Sequence, residues 1–380
     1  GSGRQAPLPD GRGSESHGSE SRTSFCRLRD HCRIHLSPEA GHCFFLKDVM
    51  TTIAVFGGSG KIGQRAVELL GKRGHHVRAL VHQSAVPGDH VTCVKGSVVE
   101  AADCHEVVRG SEIVIQLATT KEDAATFFDV SLRGTFNILE ACRFAKTVRQ
   151  FILLSGDAAQ GIWFYPHPEP INEQTPLAAY PGYYAFSKVM EETMTGQYQV
   201  QYGLRTTILR SSWVFEGDDV LNHFSVLKNV NPTEPGHGFG EVPGEVLDLV
   251  RSGQERIPVL LDASGNPLTR HIVHIDDVIH ALDRSLGNEN AIGHDYNIAA
   301  AEAFQYREAA DYISGKLGIP TIDIPNPQYH PFSIDISRAR REIGYSPAND
   351  FRRIVDRAIE FRQSGHSPAR TFPGTDQCVF

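Results

Sequence analysis

The unbroken apolar run Ile53-Ala54-Val55-Phe56 ends in Gly57-Gly58-Ser59-Gly60-Lys61-Ile62-Gly63, and apolar residues then return at helical spacing through Leu70. Few folds satisfy that order. The β-branched run predicts a strand, the glycines a turn too tight for side chains, and the resumed period a helix whose first amides face the turn. Strand, glycine turn and helix N-terminus together cradle the diphosphate of a dinucleotide. Gly57 lets the chain turn, Gly60 lets backbone come against phosphate, and Gly63 lets the helix close on the strand. The spacing is GxxGxxG rather than GxGxxG, so context decides. A short turn at residues 72–74 leads into a second strand at 76–81, completing a first strand-helix-strand unit.

Strand-like runs recur at 53–56, 77–81, 91–94, 113–118, 151–155 and 206–210, with helical patterns at 64–72, 101–108, 127–144 and 184–202 between most of them. Strand alternating with helix predicts an α/β fold with a doubly wound parallel sheet. The runs at 113 and 151 are continuously apolar, as strands covered on both faces must be. After Arg210 the rhythm changes, and the Gly-, Pro- and Asn-rich stretch 229–243 reads as a loop or insertion over a pocket. Helices are expected at 245–252, 276–286, 306–317 and 351–363. These readings divide the chain into a nucleotide-binding domain at 50–215, with 268–298 returning to it, a substrate-binding lobe at 216–267 and 299–363, and a flexible tail at 364–380.

Composition excludes several alternatives. From Met50 onward there are about 330 residues, more than one core usually fills. A formal charge of −8 argues against a nucleic-acid partner. No run approaches the length of a membrane span, so a soluble chain is expected, and its cysteines, read as reduced thiols, point to a cytoplasmic protein, with a small molecule as the expected partner. Cys93, Cys104 and Cys142 fall within expected strands or helices and read as reduced core thiols. Residues 1–49 carry no apolar period and read as a disordered leader or appended tail. Their Cys26, Cys32, His35, His42 and Cys43 match no compact zinc spacing. His271 and His274 sit three apart on an expected strand and so point to opposite faces, with Asp276 capping the next helix. No metal is expected at either place.

Tyr184 and Lys188 stand four apart at the start of an expected helix, so both project from one face. A free tyrosine ionises near ~10, and a neighbouring ammonium favours its phenolate, which makes the pair a base for a substrate hydroxyl. The same spacing recurs at Tyr312 and Lys316. Chain order separates the two, because Tyr184 opens the helix after the strand at 151 and Tyr312 lies in the late lobe.

Together the glycine turn, Ile115-Gln116-Leu117-Ala118, Gly134 to Ala141, Tyr184 to Lys188 and Arg270 to Val278 resemble the extended short-chain dehydrogenase/reductase family, and within it the NAD-dependent epimerase/dehydratase branch. The resemblance covers about residues 51–363. It implies a Rossmann domain holding NAD or NADP, a smaller α/β C-terminal lobe gripping a sugar-like and often nucleotide-linked substrate, and a homodimer formed through the helices at 127 and 184. Tyr184 would be the acid/base, and Lys188 would hold the nicotinamide ribose and tune Tyr184. Gly57, Gly60, Lys61, Ile62, Gly63, His82 and Ala118 would line the cofactor, and Arg270 would meet substrate phosphate.

The chain departs from that family at several positions. The serine or threonine expected beside the reacting oxygen falls on Gly156 when counted back from Gly161. Ser155, one residue earlier, is the candidate for that catalytic role, against a capping or turn role, with Asp157 next in line. The family's Gly-Asp after the third strand reads Gly96-Ser97, and its asparagine before Gly134 reads Ser131. No carboxylate follows the second strand, while Arg78, His82 and Lys61 are expected near it, which leans the cofactor slightly to NADP, with His82 equally readable as a plain surface histidine. An NADPH-dependent ketone or aldehyde reductase, and a catalytically weakened NAD(P)-binding regulator, are the alternatives.

Overall fold

A computed structural model describes residues 50–233, 239 and 242–365 of the chain. The leader at 1–49, with its Cys26, Cys32, His35, His42 and Cys43, and the end of the expected tail at 366–380 lie outside the described residues.

Strands β1 (Thr52–Phe56), β2 (His76–Val81), β3 (Val91–Lys95), β4 (Ile113–Gln116), β5 (Gln150–Gly156) and β6 (Thr206–Ser211) are interleaved with helices α1 (Lys61–Lys72), α2 (Ala101–Val108), α3 (Gly134–Phe144) and α4 (Tyr183–Tyr202). Farther on come β7 (Trp213–Phe215), β8 (Ile257–Leu261), β9 (Thr269–Arg270), β10 (Ile272–His274), β11 (His294–Ile298), β12 (Phe304–Gln305) and β13 (Thr321–Pro325). The main sheet runs β11-β6-β5-β4-β1-β2-β3, with every neighbouring pair parallel. After β3 the chain crosses to the other side of β1 to form β4. That reversal opens a crevice beyond the C-terminal ends of β1 and β4, where doubly wound sheets bind ligands.

The period-two alternation of β1 explains how both faces are covered. Ile53 and Val55 pack with Ala66, Val67 and Leu70 of α1 and with Val278, Ala281 and Leu282 of the helix Ile275–Ser285. Ala54 and Phe56 face the other way, toward Cys104 and Val107 of α2 and Ile138 and Leu139 of α3. Each fully buried Leu, Ile or Phe contributes about 1.5–3 kcal/mol. The layer on the α1 side continues without a break through Phe215, Phe224, Phe304, Tyr306 and Ile324 of the later elements. Phe215, Phe304 and Ile324 lie in three two-stranded sheets, parallel β7 with β10, antiparallel β9 with β12 and parallel β8 with β13, and Phe224 and Tyr306 lie at helix ends beside them.

Three details depart from expectation. The helical stretch from residue 127 begins as a wider π-helix, Phe127–Arg133, before continuing as α3. Cys104 and Cys142 are buried thiols, and burial pushes Cys104 up to about 12, but Cys93 is exposed because β3 is the sheet edge. The cap of helix Ile275–Ser285 is His274, whose Nδ1 accepts the Asp276 amide at 3.1 Å, while the Asp276 carboxylate is held by Arg357 at 2.8 Å. No helix among the described residues is long and apolar enough to cross a membrane.

Candidate active site

The glycine turn is shaped by close backbone approaches. Gly57 has φ +82°, and a Cβ there would meet the Ala118 nitrogen at 2.7 Å, so the turn is pressed against the end of β4. Ala118 is fixed in turn: its amide donates to Gln116 Oε1 at 3.2 Å, and Gln116 Nε2 donates to Thr135 Oγ1 at 3.0 Å. A Cβ on Gly63 would fall 2.1 Å from the Gly57 carbonyl oxygen, which only a bare backbone permits. Gly60 caps α1, with φ −73° and no side-chain hydrogen bond to the helix start. Its Cβ position meets only the Gly57 oxygen, at 3.3 Å, and is otherwise open. The first amides of a helix need acceptors and attract negative charge. A cradle with glycines at all three closures and an uncapped helix start that includes Lys61 and Ile62 fits a dinucleotide diphosphate.

The start of α4 is capped from a distance. Glu122 accepts the Tyr183 amide at 2.7 Å and the Tyr184 amide at 3.3 Å, placing a carboxylate at the positive end of the helix. Tyr184 and Lys188 then share a face, with Lys188 Nζ 5.5 Å from the Tyr184 ring centroid. Lys188 is buried and donates to Glu191 Oε2 at 2.9 Å and to the Leu154 carbonyl at 3.3 Å. Burial opposes its charge, but the Glu191 carboxylate, Tyr184 and Glu192 outweigh burial and raise its pKa. A second ammonium, Lys121, sits 3.9 Å over the Tyr184 ring. Sequence reasoning passed over Lys121 and Glu122, which lie in a polar loop with no motif around them.

Ser155 does not reach this centre. Its hydroxyl is buried and donates to Glu192 Oε1 at 2.5 Å. That bond engages the hydroxyl expected to be catalytic, and consecutive side chains on a strand face opposite sides. Gly156 is the position that faces the phenol, since a Cβ there would lie 3.1 Å from Tyr184 Oη.

Asp157 follows at the end of β5. Its Oδ2 accepts from Ser212 Oγ at 2.9 Å. Burial pushes its pKa up to about 6, against the hydrogen bond from Ser212 and the positive charges of Arg270 and Lys121. A carboxyl that titrates there can give or take a proton near neutral pH. Arg270 lies on β9 between two indoles, its guanidinium carbon 3.8 Å from the Trp163 ring centre and 4.2 Å from that of Trp213. It is buried, and its Nε has no hydrogen-bond partner among the described residues. No ion pair holds it among those residues. A guanidinium stacked on both faces and unpaired at its edge suits an oxyanion. The flanking tryptophans carry no readable signal, because Trp163 and Trp213 lie far from Arg270 in the chain.

Of the three basic residues near the expected ribose end, Arg78 and Lys61 are committed. Arg78 donates to the carbonyls of Glu106 and Val107 and pairs with Glu106, and Lys61 pairs with Asp219. His82 is exposed at the end of β2. Ser131 accepts the Thr120 amide at 3.1 Å and so ties down the loop after β4. The second Tyr-Lys pair is a helix-to-helix tie: Tyr312 Oη donates to Asp356 at 2.9 Å, and Lys316 pairs with the same carboxylate at 2.9 Å.

A seven-stranded parallel sheet of this order, with a glycine turn at its switch point and a tyrosine and lysine one turn apart on the helix after β5, defines an extended short-chain dehydrogenase/reductase, an enzyme class built on the Rossmann fold. The family model described as the NAD dependent epimerase/dehydratase family matches residues 53–299, and the chain belongs to that family. Among curated relatives, human sterol-4-alpha-carboxylate 3-dehydrogenase, decarboxylating, is 28% identical over 166 residues, covering 42% of this chain and 44% of that protein. The chain thus spans less than half the length of that relative. UDP-N-acetyl-alpha-D-glucosaminuronate decarboxylase of Bacillus cytotoxicus is 24% identical over 275 residues, covering 68% of this chain and 78% of that protein. Among solved structures, a short-chain dehydrogenase/reductase superfamily protein of Agrobacterium tumefaciens with bound NAD aligns at TM-score 0.70 and 21% identity, covering 82% of this chain and 97% of that chain. UDP-glucuronic acid 4-epimerase of Bacillus cereus aligns at TM-score 0.63 and 17% identity, covering 82% and 99%. At these identities the structural likeness is one of fold.

Proposed function

We propose that this enzyme oxidises or epimerises a secondary hydroxyl on an anionic, sugar-like substrate, nucleotide sugars included, with NAD as cofactor. The observation that carries the reading is the Tyr184 phenol: it abuts the backbone of Gly156, has the Lys121 and Lys188 ammonium groups 3.9 and 5.5 Å from its ring centre, and makes no hydrogen bond to another described residue. Tyr184 takes the substrate hydroxyl proton and returns it. Lys188 binds the cofactor ribose and keeps positive charge beside the phenol. Arg270 holds the substrate anion. The nicotinamide, when bound, supplies the hydride acceptor and donor. NAD is favoured over NADP because Arg78 and Lys61 are spent on Glu106 and Asp219. The residues at 216–267 and 299–363 form the substrate-holding part, and the protein acts in the cytoplasm.

The partner is a second copy of the chain. Phe128, Phe136 and Phe144, spaced eight apart, and Phe186, Val200 and Tyr202 of α4 leave large apolar side chains exposed on adjacent helices. An exposed aromatic face of that kind suits a homodimer.

A second reading, reduction of a ketone on an apolar ring system, is favoured by the aromatic cluster beside Arg270. Trp163 stacks on Tyr329 at 4.2 Å and meets Phe164 edge-on at 6.1 Å. Steroid alcohols and nucleotide-linked uronic acids, each offered with NAD and NADP, discriminate the readings through nicotinamide absorbance and product analysis. Product without net absorbance change means epimerisation. Tyr184→Phe should lower kcat by about 10²–10⁴-fold on whichever substrate turns over. Unchanged turnover in that variant would remove Tyr184 from the chemistry and leave a cofactor-binding regulator as the better reading.

A further inference from the structure

Helix α4 carries two consecutive acidic residues, Glu191 and Glu192, and both are buried. Glu192 is held in a dense polar cluster, where it receives Arg210 Nε at 2.9 Å and its terminal nitrogen at 2.8 Å, as well as the Ser155 hydroxyl. Glu191 has no such cluster around it. Its Oε2 lies 2.9 Å from Lys188 Nζ, and its Oε1 is buried with no hydrogen-bond partner among the described residues. Withdrawing a carboxylate wholly from water is costly unless it is fully paired. A half-paired buried carboxylate therefore points to what it does for its one partner.

We propose that Glu191 is a positioning residue for Lys188, keeping the ammonium protonated and held one turn from Tyr184; this rests on the Tyr184–Lys188 reading above. A buried amine with no anion beside it gives up its proton, because burial disfavours the charged form. Among the described residues Glu191 is the carboxylate in direct contact with Lys188 Nζ, while Glu192 and the Tyr184 phenol support its charge without an ion pair. Glu192 is engaged by Arg210 of β6, Arg210 also meets Asp295 of β11 at 2.7 Å, and β5 contributes only the Ser155 hydroxyl and the Leu154 carbonyl. Two of the three N–H groups of Lys188 are fixed by Glu191 and Leu154. The third is left for an acceptor that a bound dinucleotide brings.

The test uses the full chain with labelled lysine, followed by NMR, with the Lys188 signal assigned by its loss in Lys188→Met. In Glu191→Gln its titration midpoint should fall by at least one pH unit, a factor of about ten in proton affinity. NAD affinity supplies a second readout. Lys188→Met and Glu191→Gln should each weaken binding, and the double variant should bind no more weakly than Lys188→Met alone, because Glu191 acts through Lys188. Losses that add, or an unmoved midpoint, overturn the proposal. Should Glu191→Gln fail to fold, Glu191→Asp keeps the charge but withdraws it by one methylene. It should weaken NAD binding several-fold with Lys188 still protonated, and wild-type affinity there also overturns the proposal. If the wild type binds no NAD, the functional reading itself has failed, whereas the Lys188 midpoint still decides the role of Glu191.

Discussion

Replacing Gly60 by alanine separates what the glycine turn does for the fold from what it does for the cofactor. Its φ of −73° suits any residue, and the added Cβ would meet one atom, the Gly57 oxygen at 3.3 Å. That contact requires a shift of only a few tenths of an ångström. Glycine is a better helix cap than alanine, but alanine loses less backbone entropy on folding, so the net change in stability should stay within about 1 kcal/mol. The cofactor should feel far more, because a methyl group on the open side of Gly60 would stand where the proposed site has a diphosphate resting on bare backbone. NAD at a hundredfold excess over its Kd stabilises a protein by about 2.7 kcal/mol, and weakening its affinity a hundredfold leaves about 0.4 kcal/mol. Denaturant unfolding of Gly60→Ala with and without NAD should therefore show near-wild-type stability alone and almost no gain from the ligand. Gly63→Ala is the contrast: its Cβ would lie 2.1 Å from backbone oxygen, and overpacking of that kind costs about 1–3 kcal/mol whether or not NAD is present. Wild-type NAD affinity in Gly60→Ala would refute the placement of the diphosphate.

Acid stability follows from buried imidazoles. Burial lowers both His271 and His274 to about 4, so each is neutral in the fold and gains a proton more readily when unfolded. Stability is thus full above about 6.5 and is lost as pH falls toward 4, by roughly 3 kcal/mol per histidine from a shift of about 2.5 units. His274→Asn keeps a capping side chain and should flatten the dependence of the urea midpoint on pH over that window; an unchanged slope would contradict it. Arg270→Met keeps an apolar stem between the two indoles and removes the charge. It should raise KM for an anionic substrate at least about tenfold while leaving kcat for an uncharged alcohol nearly unchanged, and equal losses on both would show a structural role alone.

Much of the architecture is written into local pattern. The glycine turn, the strand-helix alternation and the helix opening at Tyr184 are short-range features, and each is governed by period or backbone freedom that neighbouring residues reveal. The choice between Ser155 and Gly156 was not legible, because two adjacent residues on a strand differ by half a turn of the pleat, and counting along the chain does not fix which one faces the phenol. The partners of the charged groups were equally hidden. Asp219 takes Lys61, Glu106 takes Arg78, and two tryptophans enclose Arg270, all through tertiary contacts between distant segments. Glu191 and Glu192 have the composition of a solvated helix side, yet they lie inside because Lys188 and Arg210 are there to meet them.

Everything proposed for the site depends on where the dinucleotide lies, and a crystal structure of the protein with NAD measures it. The diphosphate should rest on the turn at Gly60 and the first amides of α1, with the nicotinamide ribose bonded to Tyr184 and Lys188. A cofactor bound at another edge of the sheet, or a ribose out of reach of both side chains, would contradict it.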